Sequence, residues 1–149
     1  MLLSVFFLPS ALADCPDPNL FADTPGQIEA LSGSCLQIPC RFNSTDSRYD
    51  RTRSIYGIWL RGTTDFNANP SPVIFNSSGS VNTYSLKMIG NLKEENCTTL
   101  FPDLNTSHAD KYFLRIQNWP FMATAVCEPV QIKVRGKKVL APSTDSLLD

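Results

Sequence analysis

The chain has 149 residues, 13 Lys and Arg against 14 Asp and Glu, and 42% hydrophobic residues. This length suits one domain of ordinary size, and the hydrophobic fraction is high enough to bury a core, which argues against wholesale disorder. The net charge of −1 supplies no sustained positive field, so neither nucleic acid nor an anionic membrane surface is an expected partner.

The N-terminus has the pattern of a secretory signal peptide. Residues 1–13 form an apolar run that ends in small residues at Ala11 and Ala13, as at a signal cleavage site. The run lacks a basic start, so this signal is short or incomplete. It does not reach the about 20 apolar residues of a transmembrane helix, and no later segment does. We therefore expect a signal over 1–13, one folded domain over 14–134, a linker or truncated tail over 135–149, and no direct membrane insertion.

Four glycosylation sequons agree with entry into the secretory pathway. They begin at Asn43, Asn76, Asn96 and Asn105, whereas Asn69 is excluded by the proline that follows it. Extracellular proteins form disulfides, so the five cysteines are expected to pair and to leave one thiol over. The predicted location is the secretory pathway, with the chain secreted or displayed at the cell surface as part of a longer receptor.

Short β-rich runs separated by turn residues predict an all-β sandwich, and no segment carries a convincing helical period. After Val134 the pattern stops. The predicted strands are Gln27–Leu31, Cys35–Phe42, Ser54–Arg61, Val73–Phe75, Tyr84–Ile89, Cys97–Phe101, Lys111–Gln117 and Ala123–Val134.

Alternation along these strands assigns side chains to faces, because successive residues of a strand point to opposite sides. In the first cysteine-rich strand, Ile38 and Cys40 share one face and Cys35 lies on the other. If Trp59 and Tyr112 face the core, Arg115 stands outward. Its outward neighbours would be Tyr56, Ile58, Leu60 and Phe113.

The order Cys40, Trp59, Tyr112 matches the strand-B cysteine, strand-C tryptophan and tyrosine corner of an immunoglobulin variable-type (V-set) domain. One position departs from that pattern. The usual strand-F cysteine is Leu114, and a cysteine stands instead at Cys97 in the strand-E run. This exchange resembles the sialic-acid-binding immunoglobulin-like lectins, the siglecs, whose first domain has a B–E disulfide within one sheet.

Further segments carry the resemblance. Residues 34–42 look like the siglec strand B with its two cysteines, 56–60 like strand C, and 89–98 like the D–E segment. Residues 107–115 resemble the signature Asp-Ala-Gly-Arg-Tyr-Phe-x-Arg that leads to the ligand arginine, with departures at His108 and Asp110. The resemblance implies a V-set β-sandwich with a B–E intrasheet disulfide.

For the cysteines, the resemblance implies that Cys40 pairs with Cys97 and that Cys35 bonds to a following immunoglobulin domain or stays free. Cys15 and Cys127 lie outside the family framework. They could join the N-terminal lead to strand G, since these elements run side by side in V-set domains. A zinc site is the alternative for a cysteine cluster, and the spacing with a single histidine argues against it. No metal or other cofactor is expected.

For the site, the resemblance implies that Arg115 holds the carboxylate of sialic acid through two charge-assisted hydrogen bonds. From the residues alone, Arg115 could equally be a surface ion-pair partner of little energetic value. The family also uses aromatic groups on strands A and G. Candidates for such contacts here are Phe21 at the strand-A end, Trp119 and Phe121 in the F–G turn, and Met122 and Ala123 in the strand-G register. Trp119 and Phe121 are expected either to stack on the sugar or to pack the turn.

The function implied is a cell-surface or secreted lectin for sialylated glycans on glycoproteins or glycolipids, in cell adhesion or immune recognition. The alternative is a protein-binding V-set module whose outward set of Tyr56, Ile58, Leu60 and Phe113 pairs with another V domain. His108 falls in a predicted E–F turn, where a solvated or turn-capping role fits better than a catalytic one. Without paired carboxylates, a phosphate loop or a metal motif, we interpret the chain as a non-enzyme.

Overall fold

The computed structural model describes residue 15 and residues 18–136. The predicted signal peptide and tail residues 137–149 lie outside the described residues. Short 3₁₀ turns occur at Leu92–Glu94 and Thr106–His108. The strands of the described part are β1 (Phe21–Asp23), β2 (Gln27–Leu31), β3 (Leu36–Ile38), β4 (Arg41–Asn43), β5 (Tyr56–Arg61), β6 (Val73–Asn76), β7 (Lys87–Met88), β8 (Thr99–Phe101), β9 (Asp110–Asn118), β10 (Phe121–Thr124) and β11 (Val130–Arg135).

The strands form two layers. The front sheet has the order β2-β11-β9-β5-β6, with β10 also paired to β9. The back layer contains the sheet β3-β8-β7 and the pair β1-β4, which are connected by a bridge between Arg41 and Asn96. β2 runs parallel to β11, and the other pairings are antiparallel. This all-β arrangement is the predicted V-set sandwich.

Three predicted features of the V-set framework are present, and the first of them connects the two layers. Trp59 on β5 is 1% exposed, and its Nε1 donates a 2.9 Å hydrogen bond to the Thr99 hydroxyl of β8. The Tyr112 hydroxyl donates to the main-chain oxygen of His108 at 2.5 Å, which is the tyrosine corner. Cys40 and Cys97 are disulfide-bonded within the back layer, where the Cys97 amide donates to the Cys40 carbonyl at 2.8 Å.

Two predicted strands are divided in the structure. The run Cys35–Phe42 is interrupted at Pro39, which has no N–H to donate to a ladder, so β3 pairs with β8 and β4 pairs with β1. The run Ala123–Val134 is divided between β10 and β11, and residues 125–129 between them belong to neither strand. Pro129 lies in that stretch and interrupts the ladder for the same reason.

The predicted strand Tyr84–Ile89 was mostly wrong, since only Lys87–Met88 is a strand. The Asn82 side chain accepts from the Leu86 amide at 2.7 Å and donates to the Leu86 carbonyl at 2.9 Å. These bonds satisfy the Leu86 main chain locally, where a strand would need a neighbour. Strand β1 was missed altogether, because three residues are too few for a visible alternation.

Candidate functional site

Arg115 lies at the middle of the front sheet. It is on β9, in register with Ile58 of β5 and Thr124 of β10. The preceding residue, Leu114, is 1% exposed and part of the core, so alternation places the Arg115 side chain on the outer face of the sheet. Trp59 pairs with Leu114, which makes this the face opposite the core tryptophan, as the sequence predicted.

The surroundings of the Arg115 guanidinium differ from an exposed strand arginine. Its Nη1 donates a 3.1 Å hydrogen bond to the Thr124 hydroxyl. Its Cζ lies 4.0 Å from the centroid of the Phe66 ring, and its Nε is buried without a hydrogen-bond partner among the described residues. The side chain is therefore half-buried and partly coordinated, with donor capacity left over.

Burial lowers the pKa of Arg115, yet a guanidinium stays protonated at physiological pH. The ion pairs found in residues 15 and 18–136 do not include Arg115. A cation in a half-dry environment without an acidic partner attracts an anion more strongly than a fully hydrated one does. The arrangement is thus suited to receive a carboxylate.

The outward apolar set is covered, contrary to the expectation of an open protein-binding face. Ile58 and Leu60 are 0% exposed and Phe113 is 8% exposed, because Phe66 and Val73 pack against them. Phe66 comes from the loop between β5 and β6, a segment in which sequence reasoning found only turn residues. An isolated aromatic within a polar loop was the one signal that could have identified it.

Tyr56 is the member of the outward set that stays open, at 41% exposure. It flanks a shallow groove of about 590 Å³ beside the β9–β10 turn. Gln117, two residues after Arg115, pairs with Tyr56 on one side and Met122 on the other. The groove is lined by Thr52, Arg53, Ser54, Tyr56, Gln117, Trp119 and Met122.

Trp119 is 72% exposed and Met122 is 38% exposed, so a ligand could contact either side chain. Phe121 is not accessible to a ligand, since it is 0% exposed and its ring centroid lies 5.5 Å from that of Tyr49. Ala123 is 8% exposed and pairs with the core residue Ile116. β10 alternation turns both side chains inward and Met122 outward. Phe121 therefore packs the turn, one of its two expected roles, and the structure does not support a ligand contact by the side chain of Phe121 or Ala123.

Phe21 is 40% exposed on β1 of the back layer. It lines a separate cavity of about 160 Å³ with Asp23, Arg41 and Asn43 among its neighbours. The structure therefore does not bring Phe21 into the groove at the β9–β10 turn.

The remaining cysteines and the sequon asparagines differ in exposure. Cys15 is disulfide-bonded to Cys127, which ties the N-terminal lead to the stretch before β11, and Cys35 is free and exposed. The sequon asparagines Asn43 and Asn105 are exposed, whereas Asn76 and Asn96 are half-buried.

The sequon residue Asn76 lies on the same sheet as Arg115. It pairs with Ile58, which pairs in turn with Arg115. Residues directly opposite in a sheet point to the same side, so Asn76 and Arg115 share the outer face of the front sheet.

His108 caps the 3₁₀ turn before β9. Its Nδ1 accepts a 3.0 Å hydrogen bond from the Asn105 amide, and its ring centroid lies 4.6 Å from Tyr84 and 4.9 Å from Phe101. Burial, together with the nearby Arg61 cation, lowers the pKa of His108. These contacts assign it a structural role in the turn.

Over residues 15 and 18–136, no three His, Cys, Asp or Glu side chains gather as a metal site would require. In the same part of the chain, no helix has the length and apolar character to cross a membrane.

Comparison with known proteins shows that the chain is similar to a lectin and to myelin glycoproteins. Mouse sialic acid-binding Ig-like lectin 10 is 26% identical over 123 residues, 76% of this chain and 17% of the relative. Rat and human myelin-associated glycoprotein are 33% and 32% identical over 95 residues, 61% of this chain and 15% of each relative. The chain thus spans about a sixth of the length of these curated relatives. They are lectin and myelin glycoproteins rather than enzymes, and no protein-family model matches the chain.

Proposed function

Because the chain carries a siglec-family V-set domain, we propose that it is an immunoglobulin-type lectin that binds sialylated glycans through Arg115. The observation that supports this most is the state of the Arg115 guanidinium. It is a half-buried cation on the outer face of the front sheet, and among the described residues it has one side-chain hydrogen bond, to Thr124, and no ion-pair partner.

The ligand carboxylate would take the free donors of Arg115. A guanidinium presents its N–H groups in one plane as a rigid fork, and a carboxylate meets two of them at once. A neutral sugar offers no charge to this site, so the carboxylate of sialic acid is the group that distinguishes a ligand from other glycans.

The groove at the β9–β10 turn would hold the rest of the glycan. Gln117, two residues after Arg115 on β9, lines this groove and could donate hydrogen bonds to hydroxyl groups or accept hydrogen bonds from them. Trp119, Tyr56 and Met122 offer apolar surface to the ring faces and the acetyl group. In this proposal Trp119 and Met122 are the contact residues of the F–G region, and main-chain groups of β10 contribute further hydrogen bonds.

A single sugar buries little area, so we expect a dissociation constant on the order of 1 mM, or about −4 kcal/mol. Useful adhesion then requires many copies that engage together. We place this activity outside the cell, in adhesion or recognition. Two disulfides and the glycosylation sequons fit an oxidising compartment.

The alternative of a protein-binding module loses its main support, because the apolar set it requires is covered by the β5–β6 loop. Without Ile58, Leu60 and Phe113 at the surface, a face-to-face contact with another V domain has little apolar area to bury.

A multivalent form of the domain, tested on cells before and after sialidase treatment, separates the two functions. The lectin function predicts that binding disappears with the sialic acids, and a glycan array would then identify the preferred linkage. Binding that persists on sialidase-treated cells would contradict the proposal and favour a protein partner.

A further inference from the structure

We propose that Phe66 is a positioning residue of the Arg115 site, one that holds the guanidinium plane in the orientation a carboxylate needs. This inference rests on the proposed function and adds a residue from outside the two strands that carry Arg115 and Thr124. The observation behind it is the 4.0 Å separation between the Arg115 Cζ and the Phe66 ring centroid.

The geometry of a guanidinium explains why such a contact helps a ligand and does not block it. All of its N–H donors lie in the plane of the group, so its flat faces form no hydrogen bonds. An aromatic ring over one face therefore occupies no donor, and it adds a cation–π attraction. The ligand approaches the edge, where the donors are.

Two contacts together restrict the guanidinium. Phe66 limits the tilt of its plane, and the 3.1 Å hydrogen bond from Nη1 to Thr124 limits rotation within that plane. Because the Nε is buried, the donors left to a ligand are those of Nη2 and the second N–H of Nη1. An arginine that is already oriented loses less side-chain freedom on binding than a mobile one does.

Phe66 can act in this way because packing and main-chain hydrogen bonds hold it in place. It packs on Ile58, Leu60 and Phe113. The turn around it is closed by a 3.0 Å hydrogen bond from the Ala68 amide to the Asp65 carbonyl. The ends of the loop are bonded as well, since the Gly62 amide donates to Lys111 at 2.8 Å and the Arg61 amide donates to the Pro72 carbonyl at 2.9 Å.

The same packing means that a change at Phe66 affects both stability and orientation, so the test needs a matched control. Phe66→Leu keeps an apolar cap on the cluster and removes the aromatic ring. Phe66→Tyr keeps the ring. Val73→Ala disturbs the same apolar cluster from β6, without removing the ring that lies over Arg115.

We expect Phe66→Leu to weaken binding to sialylated glycans by about 3- to 30-fold, the range of a partly desolvated cation–π contact. Phe66→Tyr should stay within about 2-fold of the parent, and Val73→Ala should bind like the parent while its unfolding midpoint falls, because it loses packing and not orientation. Binding of a multivalent form to a sialylated surface, with thermal unfolding of each variant, measures both quantities.

A spectroscopic signature separates positioning from packing. The Phe66 ring should shift the NMR resonance of the Arg115 Nε–H group, and that shift should disappear in Phe66→Leu and persist in Val73→Ala. Unchanged binding in Phe66→Leu, tighter binding in Phe66→Leu, or an equal loss in Val73→Ala would each overturn the proposal. If sialic-acid binding survives in Arg115→Ala, the proposed function fails together with it. If binding requires Arg115 but not Phe66, only the positioning role fails.

Discussion

Two arginines on neighbouring strands of the front sheet, Arg61 on β5 and Arg115 on β9, have opposite surroundings. The Arg61 guanidinium donates to the Asp110 carboxylate at 3.0 Å, to the Ser107 carbonyl at 2.6 Å and to the Tyr84 hydroxyl. Within the described residues, Arg115 makes one side-chain hydrogen bond, to Thr124. The donors of Arg61 are thus bonded to groups of the protein, whereas most donors of Arg115 are not.

The electrostatics follow the same division. At Arg61, burial works against the charge, but hydrogen bonds to Asp110 and Tyr84 outweigh it and raise the pKa. At Arg115, burial lowers the pKa, and no acidic group of the described residues offsets it. Arg61 therefore has a structural role, whereas the surroundings of Arg115 fit the proposed role in binding a carboxylate.

The largest effect on folding is expected at Arg61. Arg61→Ala leaves Asp110 without its ion partner and removes three hydrogen bonds, so the free energy of unfolding should fall by about 1–3 kcal/mol, less than for a fully buried pair because solvent reaches both side chains. Denaturant unfolding measures this. The folded fraction should still bind sialylated glycans, and a variant as stable as the parent would show that the Arg61 contacts contribute nothing.

At Arg115 the conservative exchange should affect binding and spare the fold. Arg115→Lys keeps the charge and loses the planar fork, so binding to sialylated surfaces should drop by about 10-fold or more, equivalent to about 1.4 kcal/mol. Surface binding of the multivalent form measures the drop, and Arg61→Lys serves as a control with intact binding. Equal affinities of parent and Arg115→Lys would mean that charge alone suffices.

A smaller effect on stability is expected from a change in pH, through His108 near Arg61. His108 is the chain's one histidine, and its folded-state pKa lies below the usual value because of burial and the Arg61 cation. Its contribution to stability is therefore fully present above about pH 6.5 and is lost as pH falls through the lower folded pKa. The unfolding midpoint should decrease between pH 7.5 and pH 5, and this dependence should shrink in His108→Gln. Parallel profiles would contradict the assignment.

The smallest effect concerns the glycan expected on the Arg115 face. Asn76 lies two strands from Arg115 on the same side, or about 10 Å away, so its glycan should hinder large ligands slightly. Asn76→Gln should raise binding by about 2-fold, whereas Asn43→Gln, on the back layer, should leave it unchanged. Intact mass confirms which glycans are lost, and lower binding in Asn76→Gln would indicate that its glycan assists.

Much of the framework was predictable because it depends on local alternation and on spacing. Cys40, Trp59 and Tyr112 were assigned from the usual order of a V-set sandwich, and the role of Cys97 came from the resemblance to the siglecs. Arg115 was placed on the outer face because Leu114 alternates inward, which needs only the period of a strand.

The features that sequence reasoning missed depend on contacts between distant segments. Phe66 sits in a loop without a period, and only the fold brings it over Arg115. Phe121 was a candidate for contact with the ligand, but the face of the sheet on which its side chain lies depends on where β10 begins after the turn. A shift of one residue in a strand turns its side chains to the other face, so such positions require the three-dimensional register.

The most direct test of this account is the binding of multivalent Arg115→Ala to sialylated cells, with sialidase-treated cells as the background. Losing two charge-assisted hydrogen bonds should remove the sialidase-sensitive binding of a millimolar interaction entirely. The unfolding midpoint should fall by no more than about 4 °C, the equivalent of about 1 kcal/mol. If Arg115→Ala binds sialylated cells as strongly as the parent does, Arg115 is not the carboxylate-binding residue and the lectin function proposed here is wrong.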